Sequence, residues 1–175
     1  MDINKVYDIL LKDDIELYED ELFLLIPELK YEKDFDQKSP WHSFDVWNHT
    51  LATIKACNND KNDRLVMLLH DIGKPFSYQD DGNLRHFKNH AIVSKKISQL
   101  ILDRFNIKDE DKKEILKLIE LHSCKIDIND INKDNIDFYK RLLKIKTYDA
   151  KGYEKEHSTL ILNNLDDIKE KIHTI

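Results

Sequence analysis

Residues 64–75 read RLVMLLHDIGKP, in which five consecutive apolar residues, Leu65 to Leu69, run directly into His70 and Asp71. A helix that is apolar on every side belongs in the interior of a protein. The two polar residues behind it are therefore carried inward. An isolated buried carboxylate is costly unless it is paired or bound to a metal. Asp71 needs a partner, and the nature of that partner limits what the molecule can be.

The rest of the chain is built to surround such a helix. Helical periodicity recurs almost everywhere and no stretch alternates convincingly with period two. The pattern predicts helices near 2–12, 16–26, 43–57, 62–72, 88–105, 109–123, 134–151 and 157–173, with caps at Ser43, Asn62 and Asp109. Pro27, Pro40, Gly73, Pro75 and Gly82 fall between them. The longest irregular stretch, 73–87, reads GKPFSYQDDGNLRHF and is a candidate functional loop. With only three Gly and three Pro in 175 residues, and 35% charged against 41% hydrophobic, the fold class is all-α and the chain 1–175 is one domain.

Composition also narrows the function. No apolar run approaches the roughly 20 residues of a membrane span, so no membrane partner is expected. The start, MDINKVYDILLKDD, is acidic and amphipathic, unlike a signal peptide. Two cysteines, Cys57 and Cys124, make no disulfide framework, which fits a cytoplasmic setting. A formal charge of −6 disfavours a broad nucleic-acid footprint.

At about 100° per residue, several polar residues share a face with apolar neighbours. His90 lies with Val93, Ile97 and Ile101; His122 with Ile115, Leu118 and Ile119; Asp149 with Leu142, Ile145 and Tyr153. Together with His70 and Asp71, five titratable side chains from four helices look inward. His49 sits opposite the stripe of Phe44, Trp47, Leu51 and Ile54, so it is either surface or on a second packed face lined by small residues. A single such histidine is ordinarily a hydrogen-bonded core residue, and His42, His157 and His173 carry that reading or a surface one. Asp149 is different, because no Arg or Lys pairs obviously with both it and Asp71. A divalent metal compensates both carboxylates and uses neutral imidazoles as ligands.

The order His49, His70-Asp71, Asp149 resembles the H…HD…D signature of the HD superfamily of metal-dependent phosphohydrolases. DVWNHTL at 45–51, LLHDIGKP at 68–75, HFKNHAIVS at 86–94, LIELH at 118–122 and YDAKGY at 148–153 resemble the HD domain of bacterial CCA-adding tRNA nucleotidyltransferases and its stand-alone relatives. The likeness runs from about 22 to 153, with a motif-bearing core at about 43–153. It implies a single-domain helical bundle of the HD type. It also implies that His49, His70, Asp71 and Asp149 hold a divalent ion (Mn, Fe, Co, Ni, Zn or Mg), with His49 turned toward the site.

His90 and His122 match additional histidines that either complete a second metal site bridged by Asp71 or bind phosphate beside one ion. The resemblance leans toward the single ion. Lys74 matches a lysine near substrate phosphate. Asp71 and Lys74 are the catalytic candidates, Asp71 as acceptor of the water's proton. His42, Arg85 and His86 are substrate-binding candidates, with Trp41 and Lys88 nearby. The nucleotidyltransferase head is missing, so CCA addition is not expected. KPFSYQDDG does not supply the GYP-type motif of cyclic-di-GMP hydrolases. The resemblance implies hydrolysis of a phosphomonoester or phosphodiester of a nucleotide or similar small substrate, nucleic acid not being favoured. The competing class is a module that binds a nucleotide or RNA end without turnover.

Overall fold

Leu65, Val66, Met67, Leu68 and Leu69 are all fully buried, and the helix that carries them is the axis of the molecule. The computed structural model describes residues 1–41, 44–172 and 174. Among these are eight α-helices: α1 (Asn4–Leu10), α2 (Glu19–Leu25), α3 (Val46–Ala56), α4 (Lys61–Leu69), α5 (His90–Leu102), α6 (Asp109–Leu121), α7 (Ile136–Ala150) and α8 (Lys155–Ile172). Helix α4 packs against α1, α3, α6 and α7. This enclosure is why its apolar run has no polar side. Helices α5 and α6 pair with each other, as do α7 and α8.

The all-α expectation holds, with local differences that have physical reasons. The helix expected at 16–26 is preceded by a 3-10 turn, Ile15–Tyr18, and followed by another, Pro27–Tyr31, because Pro27 has no N–H with which to continue α2. Helix α4 stops at Leu69, before the expected 72. Its cap is Asp60 rather than Asn62, the Asp60 carboxylate accepting from the backbone N–H of both Asn62 and Asp63. Asp45 caps α3, the expected Ser43 lying outside the described residues, as does His173. Asp109 is the first residue of α6 rather than its cap, and Asp109, Glu110 and Asp111 place negative charge in its first turn.

The stretch 73–87 is more ordered than its composition suggests. It holds a 3-10 turn, Lys74–Phe76, and a two-stranded antiparallel hairpin, β1 (Gln79–Asp80) with β2 (Arg85–His86). Strands of two residues are too short to show alternation. Gly73 is fixed by contact with α5: a Cβ there would lie 2.5 Å from the Ser94 backbone nitrogen and 2.6 Å from the His90 carbonyl oxygen. That close approach brings α5 against the end of α4. Arg141 draws α7 onto α4 and α6, at 2.8 Å from Asp63 and 2.8 Å from Glu114. No helix among the described residues is long and apolar enough to cross a membrane.

Candidate metal centre

Four imidazoles and two carboxylates meet at the end of α4. His49 comes from α3, His90 is the first residue of α5, His122 follows the last residue of α6, and Asp149 lies on α7. His70 and Asp71 stand in the turn after α4. Each ring is oriented by a backbone carbonyl at its Nδ1. For three of them the carbonyl lies three residues upstream: Met67 for His70 at 2.7 Å, Phe87 for His90 at 2.8 Å, and Ile119 for His122 at 2.7 Å. His49 Nδ1 instead meets the carbonyl of Gly152 at 3.1 Å, across 103 residues of chain. A carbonyl oxygen only accepts, so each ring carries a proton on Nδ1 and presents Nε2 to the centre. Gly152 has to be glycine for this, since a Cβ would lie 2.5 Å from His49 Nδ1.

Asp71 stands between two pairs of rings. Its Oδ2 is 3.2 Å from His70 Nε2 and 3.4 Å from His49 Nε2. Its Oδ1 is 3.4 Å from His90 Nε2 and 3.7 Å from His122 Nε2. Asp149 Oδ1 closes the first pair, 3.1 Å from His49 Nε2 and 3.5 Å from His70 Nε2. Ligand atoms of His49, His70 and Asp149 lie within 4.8 Å of one another, as do those of His70, Asp71 and His122.

The centre fits a cation. Asp71 Oδ1 is buried without a hydrogen bond, and Oδ2 is offset only by the Lys74 ammonium at 2.7 Å and the nearby rings, so this buried carboxylate keeps the capacity to bind an ion. Burial opposes ionisation of Asp71, yet His70, Lys74 and His122 outweigh it and hold the carboxyl well below the usual range. Asp149 is likewise held well below its usual range, burial being overcome by His49 and His70. His70 answers the two carboxylates by holding a proton. Burial works against its charge, but Asp71 and Asp149 push its pKa up to about 10. Burial lowers His90 to about 4, with His122 and Lys74 adding to the effect against the pull of Asp71. Glu32 is fully buried and neither of its oxygens is hydrogen-bonded. Burial and then Asp71 push its carboxyl well above the usual range, which discourages a third negative charge beside the centre.

A cavity of about 220 Å³ opens onto Asp71, His90, His122 and Asp149. Its other walls are Ser123, Lys146, Tyr153 and, from α8, Ile161 and Leu165. Lys146 donates to the carbonyls of His122 and Cys124, so the loop after α6 is pinned beside the ring it carries. Lys74 is buried under Asp71. Its ammonium stands 2.7 Å from Asp71 Oδ2, donates to Gln37 Oε1 at 2.7 Å, and lies 5.4 Å from the centre of the Phe87 ring.

The remaining candidates lie elsewhere. Arg85 and His86 are on β2, where Arg85 meets Asp80 at 3.1 Å and His86 meets Asp81 at 3.1 Å. Neither lines the cavity. Lys88 is exposed. Trp41, half-exposed, stacks on His157 at 4.7 Å. His42 lies outside the described residues. Periodicity gave no sign of Gln37, which sits in an irregular segment, or of Lys146, Ile161 and Leu165 as walls of the site. For Lys146 the spacing to Asp149, three residues on the same helix, is the available signal.

A family model described as the HD domain matches residues 42–168. The match spans every ligand candidate from His49 to Asp149 and most of α8. No curated protein matches the chain.

Proposed function

Since the chain belongs to the HD domain family, we propose that it is a metal-dependent phosphohydrolase acting on a phosphomonoester or phosphodiester of a nucleotide or similar small molecule. The observation that carries this reading is the convergence of four imidazoles and two carboxylates on one buried point, each ring presenting Nε2 because its Nδ1 is committed to a backbone carbonyl. His49, His70, Asp71 and Asp149 would hold a divalent ion, which in such a site acidifies water and polarises a phosphoryl oxygen. The donor set of imidazole and carboxylate without thiolate fits manganese, iron, cobalt, nickel or zinc.

The protein's own groups divide the remaining work. Asp71, held well below the usual carboxylate range, is a poor acceptor of the water's proton, the role the resemblance gives it; as an anion it would hold and orient the attacking water instead. Lys74 is not a wall of the cavity; it fixes a positive charge 2.7 Å behind Asp71, and from there its field would offset negative charge that grows on the phosphoryl group. Ile161, Leu165 and Tyr153 limit solvent on the far wall. A cavity of about 220 Å³ is smaller than the roughly 300–1,000 Å³ that encloses a drug-sized ligand. It therefore takes the phosphate and the adjoining part of the ester, and leaves a base or other group outside. The nucleotide or nucleotide-like substrate is carried by the resemblance of the sequence motifs alone; the family match gives the HD domain and no substrate.

The test is metal analysis of the purified protein, followed by hydrolysis of p-nitrophenyl phosphate, bis-p-nitrophenyl phosphate and a nucleotide panel. Turnover that is abolished by a chelator and restored by metal is the expected result. Tight metal with no turnover, together with specific binding of a nucleotide or RNA end, would overturn the reading in favour of a binding module.

A further inference from the structure

Between the 3-10 turn Pro27–Tyr31 and α3 the described residues, 32–41 with 44 and 45, form no helix or strand, yet Gln37 among them is 1% exposed. Its amide makes two directed bonds. Oε1 accepts from Lys74 Nζ at 2.7 Å, and Nε2 donates to the Phe44 carbonyl at 3.2 Å. An ammonium only donates and a carbonyl only accepts, so one orientation of the amide serves both. Glutamate would set an acceptor against the Phe44 carbonyl, and asparagine is one methylene short. The same ammonium is paired with Asp71 Oδ2 at 2.7 Å. A line of contacts thus runs from the irregular segment to the carboxylate at the centre.

The segment is held where it delivers Gln37. Lys38 pairs with Asp80 at 2.8 Å, and the Arg85 N–H donates to the Lys38 carbonyl at 3.3 Å. The Arg85 side chain bonds Asp80 and the Asp36 carbonyl and lies over the rings of Phe35 and Tyr78. Asp34 and Lys38, flanking Phe35–Gln37, have φ of 58° and 42°. Side chains other than glycine rarely adopt that region, and it persists where the surroundings over-determine it. A lysine ammonium on a four-carbon stem has several rotamers open to it. One fixed acceptor from a latched segment removes that freedom.

We infer that Gln37 is a positioning residue of the site, acting through Lys74, and that the hairpin contacts of Asp80 and Arg85 hold Gln37 in place for this. The inference rests on the phosphohydrolase reading.

A double-mutant cycle on the metal-loaded full-length protein tests it. Gln37→Met keeps nearly the same volume and removes the acceptor; Lys74→Met removes the donor. Binding of inorganic phosphate by calorimetry, turnover of p-nitrophenyl phosphate, metal content and thermal melting are measured for the four proteins. Gln37→Met should retain metal and lose about tenfold in both phosphate affinity and kcat, the scale expected for a misplaced charged group. The double variant should be no worse than Lys74→Met alone. Asp80→Asn loosens the latch while leaving Gln37 present, and should lower phosphate affinity by a smaller factor only when Lys74 is there; it decides the matter if Gln37→Met does not fold. Additive losses, or an Asp80→Asn effect that persists in Lys74→Met, would overturn the role of Gln37 and leave the phosphohydrolase reading standing. A wild-type protein that neither binds phosphate nor hydrolyses any ester would overturn both.

Discussion

The Nε2 atoms of His90 and His122 stand 3.1 Å apart, beside Asp71 Oδ1 at 3.4 and 3.7 Å. Phe87 and Ile119 hold protons on Nδ1, so two neutral rings would set lone pair against lone pair beside a third acceptor, Asp71 Oδ1. A phosphate oxygen in that position would add a fourth acceptor, and His90, lowered to about 4, carries no charge at neutral pH to welcome it. A cation resolves the conflict. We propose that Asp71, His90 and His122 would hold a second ion beside the one assigned to His49, His70, Asp71 and Asp149, where the resemblance leans toward a single ion. Elemental analysis after loading should give two equivalents in the wild type and one in His122→Ala. Two equivalents retained in that variant would refute the second position.

Asp71→Ala should lose both positions, because each ring pair faces one of its oxygens. At metal 100-fold above Kd, binding stabilises the folded state by about 2.7 kcal/mol. For a chain of this size that raises Tm by roughly 5–11 °C. Thermal melts with and without metal should show the rise in wild type and none in Asp71→Ala.

Metal uptake should expel a proton. The His70 pKa is raised from 6.5 to about 10 in the metal-free protein, so its contribution to stability is fully present below pH 6.5 and is lost as pH rises through about 10. At pH 8 His70 is still protonated and must give up that proton to become a ligand, whereas His90 is already neutral. Calorimetry at pH 8 in buffers of different ionisation enthalpy should report release of about one proton per protein. Affinity should weaken as pH falls, since the proton then competes better. Zero release at pH 8 would contradict the assignment.

Lys74→Met should keep its metal and lose about 10²-fold in kcat, the scale seen when one charge-stabilising donor is removed. Loss of metal from this variant would mean that Lys74 builds the site and has no part in the chemistry.

Away from the centre, Arg141→Met should destabilise the fold by about 2 kcal/mol, because Asp63, 3% exposed, is left as a buried unpaired carboxylate. The figure sits below the range for fully buried pairs because the Arg141 side chain is 22% exposed. Denaturant unfolding measures it.

What the sequence made legible followed from periodicity. The inward stripes of α5, α6 and α7 carried His90, His122 and Asp149, and the apolar run of α4 carried His70 and Asp71. His49 shows the limit: its stripe was ambiguous, and only the packing of α3 against α4 and α7 buries it. Gln37 and the hairpin were illegible for a related reason. Their conformation is imposed by contacts distant in sequence, such as Lys38 with Asp80, and no local repeat encodes those. The cap of α4 was misplaced because Asp60 and Asn62 are both good capping residues, and only the path of the backbone chooses between them.

The carbonyl partners of the four rings divide into local and distant ones. His70, His90 and His122 each take their orientation from a residue three positions upstream, so each ring is aimed as soon as its own turn has formed. His49 meets the carbonyl of Gly152, so this contact of its ring needs the end of α7 docked on α3. Completion of the His49 side of the centre reports that the two halves of the chain have met.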